Sequence, residues 1–189
     1  MAKTLQDIRL QLQRGEVTSE QLVEEALASA LSSEGQGGKT FIKVYDDKAM
    51  VQAKAIDQVR KSGVELHPLA GIPISIKDLF DVAGEITLSG SLVRRKSAPA
   101  KSDAHIVSKL RAAGAILIGR TNMTEFAFSG LGINPHYGTP LNPWDRNTGR
   151  IPGGSSSGAA ISVTDNMAAA AILSLIHISE PTIQKPISY

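Results

Sequence analysis

The sequence predicts an α/β fold in which helices cover both faces of a β-sheet, and three observations predict it. Ala115-Ile-Leu-Ile-Gly119 is a short, wholly apolar run of the kind that forms a strand buried between two helical layers. A helical segment capped at Ser102 and ended by Gly114 leads straight into it, which is the grammar of a βαβ unit. The chain has 189 residues, 42% of them hydrophobic, and no repeat or charged linker divides it, so one domain with a sizeable core is enough.

The elements follow in order. Thr4 caps a helix with Leu5, Ile8 and Leu12 on one face, and Gly15 ends it. Thr18-Ser-Glu-Gln caps a second helix whose apolar stripe is Leu22, Val23, Ala26, Leu27 and Ala30. Ser32 to Lys39 reads as a Ser/Gly loop, Thr40 to Tyr45 as an alternating strand, and Asp46 to Lys61 as a third helix stopped by Gly63. Pro68 to Lys77 predicts a strand with one aliphatic face, Ile72, Ile74 and Ile76. Asp81 to Ala100 is rich in turn residues; within it Thr87 to Ser91 can line a site, and Arg94-Arg95-Lys96 is a solvated turn. A helix spans Asp103 to Ala113, with His105 at its surface. Arg120 to Ser129 leaves the carboxyl end of the buried strand, the side on which open α/β sheets place ligand loops. Asn134 to Trp144 holds too many prolines for regular structure, and Trp144 is expected to pack.

Composition excludes several functions. The chain contains no cysteine, so disulfides, thiolate metal sites and a cysteine nucleophile are out. The four histidines, His67, His105, His136 and His177, have no ligand-like spacing; neither a metal nor a cofactor is expected. A net charge of +2 gives no argument for nucleic-acid binding. No apolar run reaches the roughly 18 residues of a membrane span. The N-terminus lacks the apolar core of a secretory signal, so the expected location is the cytoplasm. Oligomeric state is not legible.

Chemistry concentrates in Arg150-Ile-Pro-Gly-Gly-Ser-Ser-Ser-Gly-Ala-Ala-Ile161. Gly153, Gly154 and Gly158 let the backbone approach a ligand, and the helix that follows offers unpaired N–H groups. A flexible linker would have polar, low-complexity flanks, and a phosphate loop would continue with Lys and Ser or Thr; neither is present.

Gly153-Gly-Ser-Ser-Ser-Gly158 resembles the Gly-Gly-Ser-Ser-Gly-Gly element of the amidase signature family, with Ser157 in place of a glycine. Gly71-Ile-Pro-Ile-Ser-Ile-Lys-Asp78, Gly114-Ala-Ile-Leu-Ile-Gly-Arg-Thr-Asn-Met-Thr-Glu-Phe-Ala127 and Tyr137-Gly-Thr-Pro-Leu-Asn-Pro-Trp144 agree in order and spacing. The resemblance runs from about Leu5 to Ile172 and corresponds to the first part of a typical member. It implies an incomplete amidase signature fold, a mixed sheet covered by helices, acting on a small-molecule amide. It also implies that Lys77 is the general base. Ser155 becomes the bridging serine of a Ser-Ser-Lys triad, behind a cis Gly154-Ser155 peptide, while Ser156 and Ser157 are loop hydrogen bonders. Ala127, Ser129 and Gly130 border the substrate.

The base role carries its own physical demand. A lysine accepts a proton only when neutral, and its ordinary pKa near 10.4 leaves it charged at pH 7. Desolvation beneath Ile74, Ile76 and Phe80 is the expected remedy, with the Asp78 carboxylate turned away, into backbone amides.

The nucleophile of the family lies in Gly-Thr-Asp-Thr-Gly-Gly-Ser. Here the chain reads Leu173-Ser-Leu-Ile-His-Ile-Ser179, and Ser179 matches the nucleophile in position only, without glycines to build an oxyanion hole. Ser174 to Thr182 resembles translated sequencing-adapter sequence. The expected organisation is residues 1–172 as the N-terminal part of one amidase domain and 173–189 as a non-native tail, with no hydrolysis by the chain as written. Two other readings are the amide-hydrolysing (A-type) component of glutamyl-tRNA(Gln) amidotransferase and a catalytically dead binding domain.

Overall fold

Thr4 and Thr18 each close a capping box. The Thr4 hydroxyl accepts from the Asp7 amide at 3.1 Å while the Asp7 carboxylate accepts from the Thr4 amide at 2.9 Å. Thr18 and Gln21 repeat the exchange. Helices α1 (Leu5–Arg14) and α2 (Ser19–Leu31) start at these caps. Gly15 ends α1 with φ 68°, a conformation that favours glycine. The computed structural model describes residues 4–174. Then come α3 (Gly37–Thr40), β1 (Phe41–Val44), α4 (Asp46–Lys61), β2 (Pro73–Lys77), α5 (His105–Ala112), β3 (Ile116–Thr121), α6 (Ser157–Thr164) and β4 (Ala170–Ile172), with short 3-10 turns at Val93–Lys96 and Glu125–Ala127.

The sheet order is β1-β3-β2-β4; β1 runs antiparallel to β3, and the other pairs are parallel. It is a mixed sheet in an α/β fold. Helix α5 connects the parallel neighbours β2 and β3, which is the βαβ unit the sequence predicts. The β2/β3 ladder slips once. Ile74 pairs with Leu117 but Ser75 pairs with Gly119, leaving Ile118 unmatched. Two apolar clusters flank β3. Ile116 and Ile118 join Val23, Ala26 and Leu27 of α2 and Ala49 and Ala53 of α4; Leu117 joins Ile72, Ile74 and Ile76 with Val107 and Leu110 of α5.

Several expectations are corrected. Residues Gly37–Thr40 form a helical turn rather than loop, because the Gln36 carbonyl accepts from the Lys39 and Thr40 amides and the Thr40 hydroxyl. The second strand begins at Pro73; Pro68 to Gly71 is a turn, and all five strand residues are buried, not one face only. Ser102 does not cap α5, which starts after Ala104 without a side-chain cap. The nearby Asp103 carboxylate instead accepts from the Ala83 amide at 2.8 Å and pairs with Arg111 at 3.0 Å. The strand after Gly114 runs on through buried Arg120 and Thr121. Trp144 does not pack: it is 88% exposed.

Candidate active site

Strand alternation assigns the two faces at the end of β2. Ile72, Ile74 and Ile76 enter the α5 cluster, while Ser75 and Lys77 point to the side of α6. Lys77 therefore does not lie beneath Ile74, Ile76 and Phe80, which belong to the opposite face. It is fully buried among hydroxyls. Its Nζ lies 2.7 Å from Ser155 Oγ, 3.1 Å from Ser174 Oγ and 3.2 Å from the Ser174 carbonyl.

Helix α6 holds the serine loop in that position. Ser75 Oγ and Ser162 Oγ are 2.8 Å apart, and Ser162 also donates to the Ala159 carbonyl. The Gly158 amide donates to the Asn122 carbonyl at 3.0 Å, and the helix approaches so closely that a Cβ on Gly158 would stand 2.6 Å from the Asn122 nitrogen. Only glycine fits there. Asn122 is itself fixed by donating to the carbonyls of Lys39 and Gly138. The Gly154-Ser155 peptide is cis, the Ser155 carbonyl accepts from the Thr124 amide at 2.9 Å, and Gly154 packs directly against Gly132.

Burial lowers the Lys77 pKa from 10.5 to about 8. At pH 7 that leaves roughly one molecule in ten with a neutral amine, against fewer than one in a thousand for an unperturbed lysine. A neutral amine donates twice and accepts once. The two Ser174 oxygens can take its hydrogens and Ser155 can face its lone pair.

Asp78, the next residue, is also fully buried, but on the other side of the strand. Its Oδ2 accepts from the Gly90 amide at 3.1 Å and its Oδ1 from Arg120 Nε at 2.7 Å. Burial pushes this carboxyl up, against the pull of Arg120 and the backbone amides. The loop at Thr87 to Ser91 joins the site's rim: the Phe126 amide donates to the Ser89 carbonyl at 2.9 Å, and Ser91 Oγ donates to Glu125 at 2.5 Å.

The structure brings Lys77, Ser155 and Ser156 together around Ser174, whose carbonyl also accepts from Ser156 Oγ at 2.9 Å. It does not join Ala127, Ser129 or Gly130 to them by any hydrogen bond among the described residues. Ala127 has φ 56°, Ser129 Oγ accepts from the Leu131 amide in its own loop, and Gly130 is exposed. Ser157 is fully buried, and its hydroxyl finds no hydrogen-bond partner among the described residues. Ser179 lies outside the described residues. Sequence reasoning missed Ser174 and Arg120. The first stands beyond the resemblance, and the second reads as the start of the loop that leaves the buried strand. Among the described residues no cluster of His, Asp and Glu could hold a metal ion, and no helix is long and apolar enough to cross a membrane.

The class that fold and site define is α/β, with a lysine buried against a serine at the carboxyl end of a mixed sheet. Comparison narrows it: the Amidase profile matches residues 21–174, and the chain belongs to that family. It is 42% identical over 149 residues to AtzE, the 1-carboxybiuret hydrolase component of Pseudomonas sp. (strain ADP), covering 79% of this chain and 32% of that one. It is 37% identical over 186 residues to the A-type component of the glutamyl-tRNA(Gln) amidotransferase of Synechococcus sp. (strain CC9605), covering 98% and 36%. A solved structure from a vestigial protein complex, described as revealing the origins of an s-triazine catabolic enzyme, superimposes with a TM-score of 0.81. Its identity is 39%, over 88% of this chain and 36% of that one. The chain thus spans about a third of the length of the relatives it matches.

Proposed function

We propose that this chain carries the base and the relay serine of an amidase that cleaves a carboxamide to an acid and ammonia or an amine. The observation that carries this reading is the fully buried Lys77 Nζ at 2.7 Å from Ser155 Oγ. A neutral Lys77 takes the Ser155 proton while Ser155 takes that of a nucleophilic serine, whose oxygen attacks the amide carbonyl. When the tetrahedral intermediate collapses, the proton returns by the same relay to the leaving nitrogen, and water releases the acyl group by the same steps.

The nucleophile and oxyanion donors belong to the element that the family places at positions 173 to 179. Residues 173–189 contain no glycine, so we infer that this polypeptide does not itself turn over amides and that its tail is not part of the domain. Ammonia release from simple carboxamides by the purified chain would overturn that inference. An independent read of the source genome across the Ile172 and Leu173 codons tests the tail directly, with continuation into a Gly-rich Ser element expected. NMR titration of Lys77 tests the base role; a value near 10 would remove it.

A second reading, glutamine-dependent ammonia release within an amidotransferase, is favoured by the amidotransferase components found as relatives, one of which aligns with 98% of this chain. Ammonia release specific to glutamine and raised by partner proteins, measured on the protein that the genomic read encodes, would select it.

A further inference from the structure

We propose that Arg120 is a positioning residue that acts through Asp78, cancelling on one face of the sheet the negative charge that would otherwise hold Lys77 protonated on the other. This inference rests on the reading of Lys77 as a base.

Lys77 and Asp78 are consecutive, both fully buried, and point to opposite sides of β2. A buried carboxylate one residue from a buried amine favours the charged amine, because little water screens the two. Arg120 meets that carboxylate with its Nε at 2.7 Å and is anchored by donating through Nη2 to the Phe80 carbonyl at 3.0 Å and Thr87 Oγ1 at 3.2 Å. Its other nitrogen, Nη1, lies 3.8 Å from Glu85, whose carboxylate accepts from Lys43 at 2.9 Å and from Tyr45 at 2.7 Å. Asp78, Arg120, Glu85 and Lys43 therefore sum to zero charge, and the set balances only when Lys77 is neutral.

Among the described residues, the elements around the amine add nothing to this sum. Helix α6 and strand β4 carry no charged residue, and Thr121 is Lys77's partner on β3. At the rim, Glu125 is taken up by Ser91 and His136. Asp81 accepts from Thr87 on the Arg120 side. Arg150 is turned to Asp145.

The test is an NMR titration of the full chain labelled at lysine Cε, with the Lys77 resonance identified by its loss in Lys77→Met. Arg120→Gln strands the carboxylate and should raise the Lys77 midpoint by about one pH unit, a tenfold loss of neutral amine at pH 7. Asp78→Asn strands the guanidinium and should lower the midpoint. The double variant, Arg120→Gln with Asp78→Asn, should return it to the wild-type value, and Arg120→Lys, which keeps the charge, should hold it there. A packing role alone cannot produce opposite signs that cancel. The Asn and Lys variants keep the test open if Arg120→Gln does not fold. Midpoints that stay at the wild-type value in folded single variants would overturn the proposal while leaving the base role intact; a wild-type midpoint near 10 would remove the base role itself.

Discussion

The two faces of β2 solve the burial of charge in opposite ways. On the α6 face a cationic side chain is surrounded by hydroxyls and has no counter-ion among the described residues, so burial drives it toward its neutral form. On the α5 face, one residue further along, a carboxylate is matched with a guanidinium and both are enclosed. The first arrangement stores reactivity and the second stores rigidity. They meet across a single peptide bond, Lys77-Asp78, so each can be altered separately and the other watched.

The largest expected effect comes from breaking the matched face. Arg120→Ala leaves Asp78 buried without its counter-charge and should cost about 4 kcal/mol of stability in urea unfolding, whereas Lys77→Met should be neutral or stabilising. Equal losses in the two variants would abolish the contrast. Next is a pH effect confined to the unmatched face. The folded value of Lys77, about 8, lies below its ordinary 10.5, so between these pH values the unfolded chain holds a proton that the folded chain has released. Stability relative to Lys77→Met should therefore rise with pH across this window, by up to about 3 kcal/mol. A flat difference would mean that the amine is hydrated.

Gly158→Ala tests how closely α6 must sit for that face to stay closed. The added methyl meets backbone atoms of Thr40 and Asn122 that have no room to yield, and a loss of about 2 kcal/mol is expected. The same variant should move the Lys77 midpoint back toward 10, because water enters as the helix lifts. The smallest effect is assigned to the hydroxyl web. Ser162→Ala removes the link to Ser75 and should cost about 1 kcal/mol, read by the same unfolding assay.

Legibility in the sequence followed the range of the interaction. The starts of α1 and α2 are set by residues within a few positions of one another, Thr4 with Asp7 and Thr18 with Gln21, and could be read directly. The buried strand after Gly114 was legible from its isoleucines, and the resemblance pointed to Lys77 and Ser155, which the fold brings together from 78 positions apart. What the pattern hid was long-range and polar. Arg120 reads as the first residue of a loop until Asp78, Phe80 and Thr87 are seen around it. The surroundings of Lys77 are hidden because the aliphatic neighbours nearest in sequence alternate away from it. Trp144 looked like packing, yet it stands exposed with Phe128, Leu131 and Ile133 on one stretch of loop.

The unmatched Ile118 gives the sheet a consequence larger than its size. Had the β2/β3 ladder kept strict alternation beyond Ile74 and Leu117, Ile76 would face Gly119 and Lys77 would face Arg120. Two cations would then share one rung on the same side of the sheet. The extra residue advances β3 by half a pleat, so the guanidinium comes up beside Ile76 and beneath Asp78, while Thr121 takes the rung opposite the lysine. One inserted position thus acts as a phase switch that sorts two like charges into separate compartments of one sheet.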